Sequence, residues 1–294
     1  MKFGGVTNPE IVDFSLPQDH PGTAAMLSKG NGSFDIQVGC AKWNKTDLKN
    51  FYPKGTKDEL AYYSLQFNSI ELNATFYNSP SAQQVEVWRN KTPENFKFFP
   101  KIPQSVSHRK RLLNLKDEVS EFLDAVSHFE NKLGMIFLQL HDNFSSKNMD
   151  RVVDFVQKWP KGIPLAIELR SKDWFSDHQI SEELYRLFEQ NSITNIITDT
   201  AGRRDLLHMR LTTPTAFVRY VGANHPSDYY RLDEWLERII DWKSKGLEKL
   251  HFFVHQNLEL ESPLLSRYFI EKLNASIDTN LPVPEPMKVF GGIW

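Results

Sequence analysis

Apolar positions along this chain follow two patterns in alternation: short continuous or alternating runs, and runs with a period of about 3.6 residues. Residues 34–40 (FDIQVGC) are predicted as a strand, and residues 57–67 as a helix with Leu60, Tyr63 and Phe67 on one side. The same pair recurs as a strand over 69–76 and a helix over 81–90, opened by the cap residue Ser81. It continues as strand 96–103 with helix 116–130, strand 134–140 with helix 148–159, and strand 164–170 with helix 180–190. Strand 194–200 precedes only a short helix; strand 215–222 precedes helix 232–245, and strand 249–257 precedes helix 262–274. About eight strand–helix units of this size and rhythm predict a single α/β domain, a parallel (β/α)8 TIM barrel. An open doubly wound sheet is the alternative, but no glycine-rich phosphate turn follows the first strand. Residues 1–35, rich in Gly, Pro and Asn, read as an irregular N-terminal extension, residues 36–278 as the barrel, and residues 279–294 as a C-terminal tail.

Composition narrows the class. The 294 residues carry a net charge of −2 and are 40% hydrophobic and 13% aromatic, the profile of a globular domain rather than a nucleic-acid coat or membrane-surface protein. Cys40 is the single cysteine, which rules out an intrachain disulfide and a cysteine-based metal cluster. No apolar run is long enough to span a bilayer, so no membrane partner is expected, and the cytoplasm is the expected compartment.

Candidate chemistry lies at the C-terminal ends of the strands, where barrel enzymes carry their active sites. Those ends supply Cys40, Glu71 with Asn73, Lys101, Gln139, Glu168 with Arg170, Asp199, Arg219, and His255 with Asn257. Glu168 and Arg170 stand two residues apart in PLAIELR, hence on one face of an apolar strand. Burying either charge unpaired is costly, so the pair is expected at the open mouth, with Lys101 or Arg219 facing Glu168 and Asp199 or Glu71 facing Arg170. Cys40 reads as a small core residue, since no histidine accompanies it.

VGCAKW, NSIELNATFYNSPS, Trp88 with TPENFKFFPKIPQSVSH, LGMIFLQLHDNF, AIELRSKDW and FVRYVG occur in this order. Over residues 37–274 the chain resembles the YecE-like family, also known as DUF72. The resemblance implies a TIM barrel, but no reaction. Glu71, Thr75, Phe76, Tyr77, Pro80, Lys101, His108, Gln139, Glu168, Arg170, Trp174, Asp199 and Arg219 fall on positions that the family pattern uses. Three places depart from it: Lys42 precedes Trp43 where glycine is usual, Val221 replaces a histidine before Gly222, and His255-Gln256-Asn257 stands where paired asparagines are usual.

Lys101, Arg170 and Arg219 match the acids Glu71, Glu168 and Asp199 one for one, which disfavours a dication among them. No metal and no cofactor is therefore expected. The rim arginines, with Arg109–Arg111 and Arg203–Arg204 on neighbouring loops, point to an anionic small molecule, a phosphate or carboxylate. In this reading Glu168 is a base or nucleophile, and Lys101 and His108 are electrostatic or proton-transfer groups. Glu71 and Asp199 orient them, and Arg170 and Arg219 clamp the anion. Gln139, Asn73, Tyr77, Trp174, His255 and Asn257 complete the substrate site, with Trp43, Tyr77 and Trp174 available to stack on a ring. One alternative is a barrel that binds nucleic acid or processes phosphodiesters, with or without a metal; another is a non-catalytic binding barrel.

Overall fold

The computed structural model describes residues 4–285; residues 1–3 and 286–294, the two ends of the expected extension and tail, lie outside the described residues. Eight parallel strands form a sheet in the order β3-β2-β1-β8-β7-β6-β5-β4. They are β1 (Asp35–Cys40), β2 (Ser69–Leu72), β3 (Lys97–Pro100), β4 (Ile136–Gln139), β5 (Leu165–Glu168), β6 (Ile193–Thr200), β7 (Thr215–Gly222) and β8 (Lys249–Gln256). Bridges Phe98↔Leu133 and Lys101↔Phe137 join β3 to β4, so the barrel closes. The helices are α1 (Pro21–Leu27), α2 (Glu59–Gln66), α3 (Ala74–Tyr77), α4 (Ala82–Asn90) and α5 (Glu118–Ser127). They continue as α6 (Met149–Lys158), α7 (Asp173–Ser176), α8 (His178–Gln190), α9 (Ser227–Ser244) and α10 (Ser262–Ile277). The fold is the (β/α)8 TIM barrel that the alternation predicts. No helix is long and apolar enough to cross a membrane among the described residues.

Strand pleating sorts the side chains into two cores. Phe99, Phe137, Ala166, Ile196, Phe217 and Phe253 point inward and fill the barrel with a mostly aromatic plug. The opposite parity, including Ile70, Phe98, Leu138, Ile167, Ile197, Val218 and Phe252, packs under the helices. The next inward position beyond the plug on most strands is polar, so the polar layer lies on a dry floor.

Two expectations change. The strand predicted over 69–76 stops at Leu72, and residues 74–77 turn into α3; Thr75 Oγ1 donates to the carbonyls of Leu72 (3.0 Å) and Lys101 (2.7 Å), which folds the chain over β3. The N-terminal extension, read as irregular, contains α1 and a buried Phe14, Met26 and Leu27. No α-helix connects β6 to β7, only the 3-10 segment Ala201–Leu206, and the N-terminal segment lies between α8 and α9 in its place. His20 bonds Glu182 of α8 (3.2 Å), while Asp19 meets Arg238 (2.5 Å) and Trp242 (2.9 Å) of α9. These contacts are long-range in sequence, so local periodicity carried no sign of them.

Candidate functional site

Arg219, inward on β7, is the centre of the polar layer. Its Nε and Nη2 each donate at 2.8 Å to the two oxygens of Glu71 from β2, and its Nη1 donates to Glu168 Oε2 from β5 at 2.5 Å. Glu71 also accepts from Asn73 Nδ2 (2.7 Å), and its Oε2 lies 3.0 Å from His255 Nε2. Glu168 accepts from Arg170 Nε (2.6 Å) and Thr198 Oγ1 (3.0 Å). Both glutamates are fully buried. Burial alone would raise their carboxyls, but Arg219, then His255, hold Glu71 well below the ordinary range, and Arg170, then Arg219, bring Glu168 to about 2. A carboxylate so acidic and so fully bonded is a poor base and a poor nucleophile. The base or nucleophile role expected for Glu168 is therefore withdrawn; it fixes two guanidinium groups in place. The guanidinium of Arg219 is likewise engaged by two carboxylates, which argues against its role as an anion clamp. Arg170, two residues beyond the end of β5, pairs with its own chain neighbour Glu168.

Lys101 is different. Only 6% of it is exposed, its Nζ donates to Gln139 Oε1 at 2.7 Å, and it sits 4.2 Å above the Phe76 ring. Among the described residues no carboxylate lies at ion-pair distance from it. Burial first, then Arg219 and Arg170, bring its amine down to about 7. Gln139 also lies 3.4 Å from Arg219 Nη1, which links the lysine to the central arginine. His255 lies between Glu71 and Glu259 (3.7 Å from Nδ1); burial would lower its imidazole, but Glu71 raises it. His108 stands on a wide π-type turn, residues Ser105–Arg109, edge-on to Phe76.

A cavity of about 460 Å³ opens on the β1, β2 and β8 side of this layer. Glu71, Arg219 and His255 form its floor, and Trp43, Asn73 and Tyr77 stand among its walls. Tyr77 is 67% exposed at the mouth. Asn257 follows β8, its backbone N–H on the Gly222 carbonyl (3.2 Å).

Asp199 and Trp174 do not reach the mouth. Asp199 has the outward parity of β6: it accepts from Arg231 (2.8 Å), Trp235 Nε1 (2.8 Å) and Arg204 beneath α9. Asp199→Ala should lower stability by about 3 kcal/mol, as loss of one partner of a buried ion pair does. Urea unfolding checks the loss, and an unchanged anion affinity in the folded variant checks the placement. Trp174 is fully buried, stacked on Phe144 with its Nε1 on the Phe144 carbonyl (2.7 Å), so it offers no face to a ring. The basic loops are also largely engaged. Arg203 bonds Asp205 (2.9 Å), Arg204 bonds Asp199, and Lys110 bonds Glu118. Thr198 is the inward residue that the strand-end reading missed. The signal was the alternation itself, since Thr198 pairs in register with Arg219 and therefore shares its face. Among the described residues no group of three or more His, Cys, Asp or Glu is arranged to hold a metal ion.

The family model "Protein of unknown function DUF72" matches residues 37–288. Protein YecE of Escherichia coli K12 is 25% identical over 271 residues, covering 85% of this chain and 96% of its own. Protein YunF of Bacillus subtilis 168 is 32% identical over 153 residues, 48% of this chain and 52% of its own. Solved structures share the fold. A DUF72 family protein of Enterococcus faecalis V583 aligns with a TM-score of 0.69 at 18% identity, over 86% of this chain and 100% of that one. One of Thermotoga maritima MSB8 aligns with a TM-score of 0.68 at 23% identity, over 81% and 99%.

Proposed function

We propose that this chain, which belongs to the DUF72 family of proteins of unknown function, is an enzyme that acts on a small anionic molecule at the C-terminal mouth of its barrel. The observation that carries this reading is Lys101. Both glutamates of the polar layer are occupied by guanidinium groups, and among the described residues the buried amine is left with two N–H donors and no carboxylate. An incoming anion finds a partner there; an incoming cation does not. An amine with a pKa of about 7 is also the group best matched to proton transfer near neutral pH, and His255, at the cavity floor, is the second. Lys101 thus takes the proton-transfer role, Glu71 and Glu168 orient the cations, and Arg170 faces the anion. We place the activity in the cytoplasm, the compartment suited to one unpaired, buried cysteine.

Thermal melts with phosphate, small carboxylates, sugar phosphates, nucleotides and short oligonucleotides test it. At a hundred times its dissociation constant a ligand stabilises by about 2.7 kcal/mol, which shifts the midpoint by several degrees. Small anions are expected to give this shift, and Arg170→Ala to remove most of it. A shift with oligonucleotides alone would favour a nucleic-acid barrel; no shift with any anion would end this reading.

A further inference from the structure

We propose that the loops after β3, β4 and β5 form a phosphoryl-binding subsite, in which Lys101, His108, Arg111, His141 and Arg170 surround the phosphate of a small phosphomonoester. The inference rests on the anion reading above and assigns the anion a place. Lys101 Nζ lies over Phe76, the Phe76 ring meets the His108 ring at 4.9 Å, and His108 meets the His141 ring at 5.2 Å. Arg111 reaches the same loop: Nη1 donates to Asn143 Oδ1 (2.6 Å) and Nη2 to the Asn143 carbonyl (3.1 Å), while Asn143 N lies 3.2 Å from His141 Nδ1. Arg111 and Leu112 both take positive φ (51° and 61°), a conformation that disfavours side-chain-bearing residues. The contacts with Asn143 hold the loop there. Arg170 closes the group from the loop after β5, its carbonyl receiving Arg203 Nη2 at 2.9 Å.

Charge supports the placement. After burial, the influences that bring the His108 imidazole to about 4 are Lys101, His141, Arg170 and Arg111, all positive or able to become so. Glu168 is held by two arginines, and Asp142, 2.6 Å from His141 Nδ1, is more than half exposed. The His108 Nδ1 is tied to Ser107 Oγ at 2.9 Å, which leaves Nε2 as the nitrogen for a ligand. A phosphoryl group offers three terminal oxygens and two negative charges to donors on three loops, a better match than the two oxygens of a carboxylate. TIM barrels often hold phosphate at the loops after strands seven and eight. Here the loop after β8 presents Glu259 and Glu261, with Glu259 on Ser262 Oγ (2.7 Å), while Asp228, at the start of α9, is buried on Ala223 N (2.9 Å) and Arg231 (3.0 Å). The two glutamates disfavour an anion there, and the cationic half of the mouth lies opposite.

The test uses the full chain, inorganic phosphate and the histidine ring signals in NMR, with His108→Gln to identify the resonance. Phosphate should raise the His108 titration from about 4 to about 5 or above, as a nearby anion does. His208, whose Nε2 lies 3.1 Å from the Ile196 carbonyl away from these loops, should not move. Arg111→Ala and His141→Ala should each weaken phosphate binding about tenfold or more, the loss of one charge-assisted hydrogen bond. A phosphate-induced melt shift with His108 unmoved would overturn this subsite and leave the general anion reading standing. Acetate binding as tightly as phosphate would overturn the phosphoryl assignment, and absence of any melt shift would overturn both.

Discussion

Arg219→Ala is expected to lower the stability of the fold by about 3–5 kcal/mol at pH 7. Three of its nitrogens donate to two fully buried carboxylates, at 2.5–2.8 Å. Without it, Glu71 keeps only Asn73 and His255, and Glu168 keeps Arg170 and Thr198. The charges stay buried while half their compensation is gone. The pH dependence has a definite sign. In the intact chain both carboxyls sit below the ordinary 4.5, so the stability they contribute is present above that value and is lost as pH falls through the folded values, about 2 for Glu168. In the variant their folded values rise, so the gap between the two proteins should narrow as pH falls from 7 towards 3. Urea unfolding across that range measures both effects. A gap under about 1 kcal/mol at pH 7, or one that widens on acidification, would mean that Arg219 is not what neutralises this layer.

Lys101→Met should act in the opposite direction and raise stability. The folded amine titrates at about 7 against an ordinary 10.5. Between those values the unfolded chain binds a proton that the folded chain does not, so stability rises with pH over that window; below 7 the folded chain carries the whole cost of the buried charge. A difference of about 3.5 corresponds to an upper figure of about 5 kcal/mol. We expect a gain of about 2–3 kcal/mol at pH 6, since methionine matches the lysine stem in volume, fading to near zero by pH 10.5. Unfolding curves at pH 6 and 10 decide it. A variant less stable than the parent at pH 6 would show that the lysine is not a strained cation. The same substitution should abolish anion binding, which makes Lys101 a residue kept for function against stability.

Local pattern was a reliable guide where each element supports itself. The amphipathic helix read over 116–130 is α5, and the buried run in PLAIELR is β5. It failed where contacts distant in sequence decide. The run 69–76 is apolar enough for a strand, yet Thr75 bonded to the Lys101 carbonyl ends β2 early. The N-terminal segment has little periodicity of its own and is ordered by α8 and α9.

What the sequence determined by itself is the barrel and the end of it that carries polar chemistry. Alternating periods dictate the units, and parallel strands put their C-terminal ends on one face. Which of those polar residues meet was decided only by the tertiary structure. Position along a strand says that Asp199 and Glu168 both lie near the mouth, but pleating sends successive side chains to opposite faces. Asp199 went under α9 to Arg231, and Thr198 took the inward place. Register around the closed barrel then set Arg219 between Glu71 and Glu168 and left Lys101, among the described residues, with Gln139 as its hydrogen-bond partner. Charge counting along the chain matches cations to acids one for one; in space, two acids take up the arginines, a third faces the helices, and the lysine is left for a ligand.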